Sequence, residues 1–142
     1  IGHFVAAPFC TRLLADLGAD VIKVEPPSGD PVRQWGEMVD GRSLWWSLHG
    51  RNKRSLAVDL KSAQGLEIVR KFVAHCDVVV ENFRPGQLTK MGLGPEVLRA
   101  IRPDVIVAHP DDEVGAAVEA VRPVFYVFPA GSAGLFRTPV FE

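Results

Sequence analysis

Val78–Gly86 reads VVVENFRPG. Three consecutive β-branched residues do not alternate as a half-solvated strand does. They match a short strand covered on both faces, the habit of parallel sheets. The run then changes within one residue to acid, amide, aromatic and cation, and closes on Pro85–Gly86, a turn signal. A strand over Asp77–Val80 that delivers polar side chains to its carboxyl end is the organising element. Upstream, Ser62 is placed to cap a helix from Ala63 to about His75, with Leu66, Val69, Phe72 and Val73 along one side. Before it, Ser55–Leu60 alternates as a strand. Downstream, Pro95–Ile101 predicts a short helix and Asp104–Ala108 another buried strand. Toward the N-terminus, Pro8–Leu17 predicts a helix with Pro8 in its first turn and Gly18 as its stop. Asp20–Glu25 predicts a buried strand, and Pro26–Pro31 forbids regular structure. Trp35–Gly50 is open between loop and a short helix at Leu44–Leu48. Strands separated by helices at this spacing imply right-handed crossovers and an α/β fold with a Rossmann-like parallel sheet and flanking helices.

The bulk properties narrow the partners. The chain has 142 residues, 47% hydrophobic and 23% charged, with a net charge of −1. That composition is globular and gives no reason to expect nucleic acid or an acidic membrane surface. No apolar run approaches the ~20 residues of a membrane span. Two cysteines, Cys10 and Cys76, fit neither a metal spacing nor a disulfide framework, and a reducing, cytoplasmic setting is the expectation. The first residue is Ile1 and the last is Glu142, and both ends fall inside patterned sequence. A piece of a longer protein is therefore expected. After His109 the pattern changes. Glu113–Val121 reads as helical, Pro123–Phe128 as extended and Pro129–Pro139 as a small-residue loop. The expected division is residues 1–109 as one α/β unit and 110–142 as a tail.

In open α/β sheets, ligands bind beyond the carboxyl ends of strands. Each polar motif here falls there: Glu25–Asp30, Asp59–Lys61 and Glu81–Gly86. Lys61, Arg84 and Lys90 can supply charge to phosphates, Phe83 a stacking face and Asn82 a donor. Each also has an ordinary reading, since Asn82 can simply open a turn and Arg84 can be a solvated charge. Trp45 and Trp46 read as packing, and Cys10 as a small helix-face residue.

Taken in order, PFCTRLLADLGADVIKVEPPSGDPVR (Pro8–Arg33), RNKRSLAVDLKSAQG (Arg51–Gly65) and VVVENFRPG resemble the class III coenzyme A transferases, the family that includes acyl-CoA racemases. The resemblance covers about Gly2–Ala108. It implies that the fold is part of an interlocked homodimer. It also implies that coenzyme A is held by residues matching His3, Phe4, Val5, Pro26, Val58, Asp59, Leu60, Lys61, Asn82, Phe83, Arg84 and Lys90, with no metal. Ala7 departs from the family's usual Gly before Pro-x-Cys, and Pro26 stands where some members carry Arg. The implied reaction moves CoA from an acyl-CoA to a small carboxylic acid. An aspartate attacks the thioester and the step is covalent catalysis by a carboxylate. The Gly-rich stretch preceding that aspartate has no counterpart after His109, so no catalytic residue is assigned and the 142-residue chain is expected to be inactive. Alternatives are an acyl-CoA racemase, which abstracts the α-proton of the thioester, and a non-catalytic CoA-binding subunit. Glu81–Phe83 favours the transferases over the racemases, where Pro often replaces the Asn.

A second resemblance competes. His109–Glu113 reads HPDDE, similar to the motif of zinc amidohydrolases that deacetylate N-acetyl sugars. There the His and second Asp bind zinc and the first Asp is the base. No His follows His109 to complete the ligand set, and a solvated acidic turn is the preferred reading.

Overall fold

The computed structural model of the chain describes residues 1–109. Helix α1 (Ala6–Asp16) leads to strand β1 (Val21–Glu25), a 3-10 turn (Pro31–Gln34), and a small hairpin of β2 (Met38–Val39) and β3 (Arg42–Ser43). Then follow α2 (Leu44–His49), β4 (Lys53–Ala57), α3 (Ala63–Val73), β5 (Val78–Val80), α4 (Gln87–Lys90), α5 (Pro95–Ile101) and β6 (Ile106–Ala108). Every helix and strand expected up to Ala108 is present within a few residues. The mixed α/β architecture with parallel strands and flanking helices holds.

Local chemistry sets the boundaries. α1 stops where expected: Gly18 takes φ +100°, Gly18 N–H donates to Ala15 and Ala19 N–H donates to Leu14, the double closure that glycine permits. Ser62 caps α3 by accepting from Gly65 N–H at 3.0 Å. β4 begins and ends earlier than its alternation predicts, because Asp59 starts an Asx turn by accepting from Lys61 N–H at 2.9 Å. The hairpin inside Trp35–Gly50 turns at Asp40 (φ +50°) and Gly41 (φ +73°), the Asp-Gly pair that suits a two-residue hairpin.

Pairing is parallel as expected, but in two separate pieces. β1 pairs with β4 from Val21↔Lys53 to Glu25↔Ala57, and β5 with β6 from Val78↔Ile106 to Val80↔Ala108. β1 and β5 do not bond to one another. One core nevertheless runs beneath both pairs, through Val24, Val58, Val69, Val73, Val79, Leu88, Leu93, Leu98 and Val105. It spans β1, β5, α3, α4 and α5, so burial of apolar surface ties the two pieces together.

Candidate functional site

The turn after β5 is stitched to the N-terminal segment by one amide. Asn82 Oδ1 accepts from His3 N–H at 3.0 Å, and Asn82 Nδ2 donates to the His3 carbonyl at 2.9 Å. A side-chain amide satisfying both backbone groups of a residue 79 positions away fixes position and register together. Gly2 makes the approach possible, since a Cβ there would lie 2.5 Å from Asn82 Oδ1 and 2.7 Å from Ala7 Cβ. The next residue, Phe4, sits at φ +63°. Such a conformation is costly for a bulky side chain and is held by its surroundings. Its ring packs edge-on to His3 (4.4 Å between centroids) and stacks on Trp35 (5.3 Å). His3 in turn leans on Phe83 at 5.5 Å. Burial lowers the pKa of His3, with Asp30 opposing and Lys23 assisting, so its imidazole is neutral at pH 7. At the end of β6, His109 Nε2 lies 2.8 Å from the Phe83 carbonyl. A carbonyl only accepts, so that nitrogen carries the proton.

Behind this cluster, the loop after β1 is organised by Glu25, only 4% exposed. Its carboxylate accepts from Arg33 Nε at 2.9 Å and Arg33 NH2 at 2.6 Å, from Asp30 N–H at 2.8 Å, and from the Ser55 hydroxyl. Burial opposes the charge, but Arg33, Ser55 and the Asp30 amide outweigh it and hold the pKa at about 2. The Arg33 guanidinium lies 3.6 Å above the Trp46 ring, a cation–π contact. Lys23, 7% exposed, pairs with Asp30 at 2.6 Å and donates to the Gly2 carbonyl at 2.9 Å. The same loop therefore reaches the His3 segment from the other side.

The expected ligand residues are distributed unevenly. His3, Phe4, Asn82 and Phe83 form one contact cluster, with Val5 beside them as the N-cap of α1. Val5 is exposed, as are Pro26, Asp59, Lys61, Arg84 and Lys90. Lys61, Arg84 and Lys90 make no ion pair among the described residues. Val58 is 4% exposed and Leu60 is half-buried against the core, so what Val58 can offer a ligand is backbone, not side chain. Sequence reasoning placed Glu25 only as the start of the Glu25–Asp30 motif, with no role, and missed Arg33 and Trp35. Trp35 and Trp45 lie 6.3 Å apart and extend the aromatic wall from Phe4. Half-exposed aromatic faces, with the exposed Arg84 next in the chain to Phe83, suit a ligand with a flat ring and phosphates. Among the described residues no group of three or more His, Cys, Asp or Glu could hold a metal ion. Asp111, Asp112 and Glu113 of the zinc-like motif lie outside them. No described helix is long and apolar enough to cross a membrane.

Comparison with known proteins is consistent across sequence and structure. The family described as CoA-transferase family III matches residues 1–111. The chain is 52% identical over 109 residues to a succinyl-CoA–D-citramalate CoA-transferase of Chloroflexus aurantiacus, covering 75% of the chain and 27% of the relative. It is 45% identical over 108 residues to a formyl-CoA:oxalate CoA-transferase of Bradyrhizobium, covering 75% and 25%. A CAIB/BAIF family protein from Brucella suis superimposes with a TM-score of 0.70 at 44% identity, covering 75% of the chain and 30% of that structure. The chain thus spans about a quarter of the length of the curated relatives it matches.

Proposed function

The chain belongs to CoA-transferase family III, and from that premise we propose that residues 1–109 form the coenzyme A-binding unit of a CoA transferase. The whole protein moves CoA from an acyl-CoA to a small carboxylic acid. The observation that carries this reading is the reciprocal Asn82–His3 pair, which sets Phe83, Phe4 and His3 together at the carboxyl end of β5. Open α/β folds place ligands at that edge. Phe83 offers the adenine a stacking face, and Lys61, Arg84 and Lys90 offer charge to the phosphates. The neutral His3, and the backbone at Phe4–Val5 and Val58–Leu60, line the same ligand. Pro26 and Asp59 complete its border.

The acyl donor is taken to be succinyl-CoA, as in the names of several relatives, and the acceptor a dicarboxylic acid. Chemistry proceeds by carboxylate attack on the thioester. The acyl group passes to the carboxylate as a mixed anhydride and CoA thiolate leaves. The thiolate then attacks the enzyme's carbonyl of that anhydride, releasing succinate and leaving an enzyme-bound CoA thioester. The acceptor carboxylate attacks this thioester, expelling the thiolate and forming a second anhydride, and thiolate attack on the acceptor's carbonyl gives the new acyl-CoA and regenerates the enzyme carboxylate. None of the residues 1–109 is assigned that attacking role. The protein works as a homodimer in the cytoplasm and uses no metal. The test is to incubate the full-length protein with succinyl-CoA and a panel of dicarboxylates. Formation of a new acyl-CoA with free succinate supports the reading. Thioester hydrolysis alone, or no consumption of succinyl-CoA, overturns it.

A further inference from the structure

Lys23, Glu25, Lys53 and Ser55 share one face of the β1–β4 pair, since the register sets Val21 beside Lys53 and Lys23 beside Ser55. That face lies under α1, α2 and the loop after β1, yet it is polar. Lys23 is 7% exposed, Glu25 4%, Asp30 3% and His49 3%. Two cations of this layer are matched: Arg33 binds Glu25 and Lys23 binds Asp30, each at 2.6 Å. Two others are not. Lys53 gives one N–H to the Pro8 carbonyl at 2.6 Å, and the Arg12 guanidinium lies 4.7 Å from the Phe9 ring centroid. Neither pairs with a carboxylate among the described residues. The Arg12 Nε is buried without a hydrogen-bond partner there, and so are both ring nitrogens of His49. The His49 ring stacks on Trp45 at 5.5 Å and meets Phe9 edge-on at 6.3 Å. It therefore stands between α2 and the turn of α1 that carries Arg12 and receives Lys53. Trp45 is also edge-on to Trp35 at 6.3 Å, which joins this group to the aromatic wall of the His3 cluster.

Buried polar groups in folded proteins find partners, and groups that do not call for one that is missing. Here the missing partner is an acceptor with negative charge. The Arg12 Nε–H can only donate, Lys53 has further N–H groups to give, and the imidazole has at least one. The surrounding charges agree. Burial lowers the pKa of His49, and Lys53, Arg12 and Lys23 add to it against Asp30. Burial, with Lys23 and Arg12, takes the Lys53 amine down to about 8 against Cys10 and Asp30. Asp30 offers little relief, because it already serves Lys23. We propose that His49, Arg12 and Lys53 form a binding pocket for a small carboxylate that carries a short apolar chain. Its two oxygens accept from the imidazole and from Arg12 Nε, and Lys53 supplies the counter-charge. The rim selects an organic acid over an inorganic anion. Leu13 follows Phe9 by one turn of α1, and Leu48 follows Trp45 by one turn of α2. These four side chains are each 42–43% exposed and can cover the apolar chain. A bound carboxylate favours the cationic forms of His49 and Lys53, so binding takes up protons.

The experiment follows the titration of His49 by NMR on histidine-labelled full-length protein without CoA, in chloride, sulfate and propionate at equal ionic strength. The His49 signal is identified by its loss in His49→Gln, and the exposed His75 is the internal reference for general salt effects. Propionate is expected to raise the His49 pKa by about one unit or more relative to chloride, a tenfold linkage between proton and ligand. Arg12→Gln should abolish that rise. Where Arg12→Gln does not fold, Lys53→Gln, at a half-buried position, takes its place with the same expected loss. No rise in propionate, or an equal rise in the substituted protein, overturns the proposal. So does an equal rise in sulfate, which would mark a cluster of cations open to any anion.

Discussion

Replacing Glu25 by Gln removes one charge while keeping the shape of the loop after β1. The carboxylate is 4% exposed and receives two hydrogen bonds from Arg33, one from Asp30 N–H and one from Ser55. Burial disfavours its charge, and these partners more than restore it, taking the pKa from 4.5 to about 2. That difference corresponds to on the order of 3 kcal/mol. Arg33 keeps about a third of its side chain in water, so screening reduces the expected value to about 2–3 kcal/mol. The sign follows from proton binding. Between about 2 and 4.5 the unfolded chain holds the proton and the folded chain does not. Stability from Glu25 is therefore fully present above 4.5 and is lost as pH falls through about 2. Urea unfolding followed by tryptophan fluorescence, at fixed ionic strength from pH 7 down to pH 2, measures it. The Glu25→Gln chain should be less stable by about 2–3 kcal/mol at pH 7, and the two curves should converge toward the acid end. Other acidic groups, such as Asp16 and Asp104, titrate in both proteins and cancel in the difference. A gap that stays constant with pH, or no gap at pH 7, would refute the reasoning.

Three further changes probe the scaffold and the site. Gly65→Ala places a Cβ 2.0 Å from the Asp59 carbonyl, and the forced shift of α3 should cost about 1–3 kcal/mol in thermal unfolding; an unchanged midpoint would show that the loop yields freely. Asn82→Ala deletes both bonds to the His3 backbone; it should cost about 1–3 kcal/mol and loosen Phe4, read as faster amide exchange at His3–Val5. Unaltered exchange there would contradict the clamp. Arg84→Ala should weaken CoA more than dephospho-CoA, by about 1.5–3 kcal/mol if Arg84 holds the 3′-phosphate, and equal losses for both would remove that role.

Elements whose signals are local were legible in the sequence. The valine triplet, the Ser62 cap, the Gly18 stop and the Pro95 start each specify backbone through near neighbours, and all four reappear. The Asn82–Phe83 turn was singled out because its residue types change abruptly after an apolar run. The hairpin at Asp40–Gly41 carried a readable turn signal inside Trp35–Gly50, a stretch left open between loop and short helix. The Glu25 hub was not legible, because Asp30 and Arg33 reach it only when the loop after β1 folds back, and Ser55 only when β1 and β4 pair. Trp35 joins the aromatic wall for a similar reason: its neighbours, Phe4 and Trp45, come from opposite sides of the loop. The gap between β1 and β5 is a property of tertiary pairing, and helix–strand alternation alone reads as one continuous sheet.

The central claim is that residues 1–109 hold coenzyme A at the carboxyl end of β5. Titration calorimetry of the 142-residue chain with CoA, repeated on Asn82→Ala, tests it most directly. Saturable binding by the chain, weakened about tenfold or more by the substitution, is the predicted result. Absence of CoA binding, or binding that Asn82→Ala leaves untouched, would contradict it.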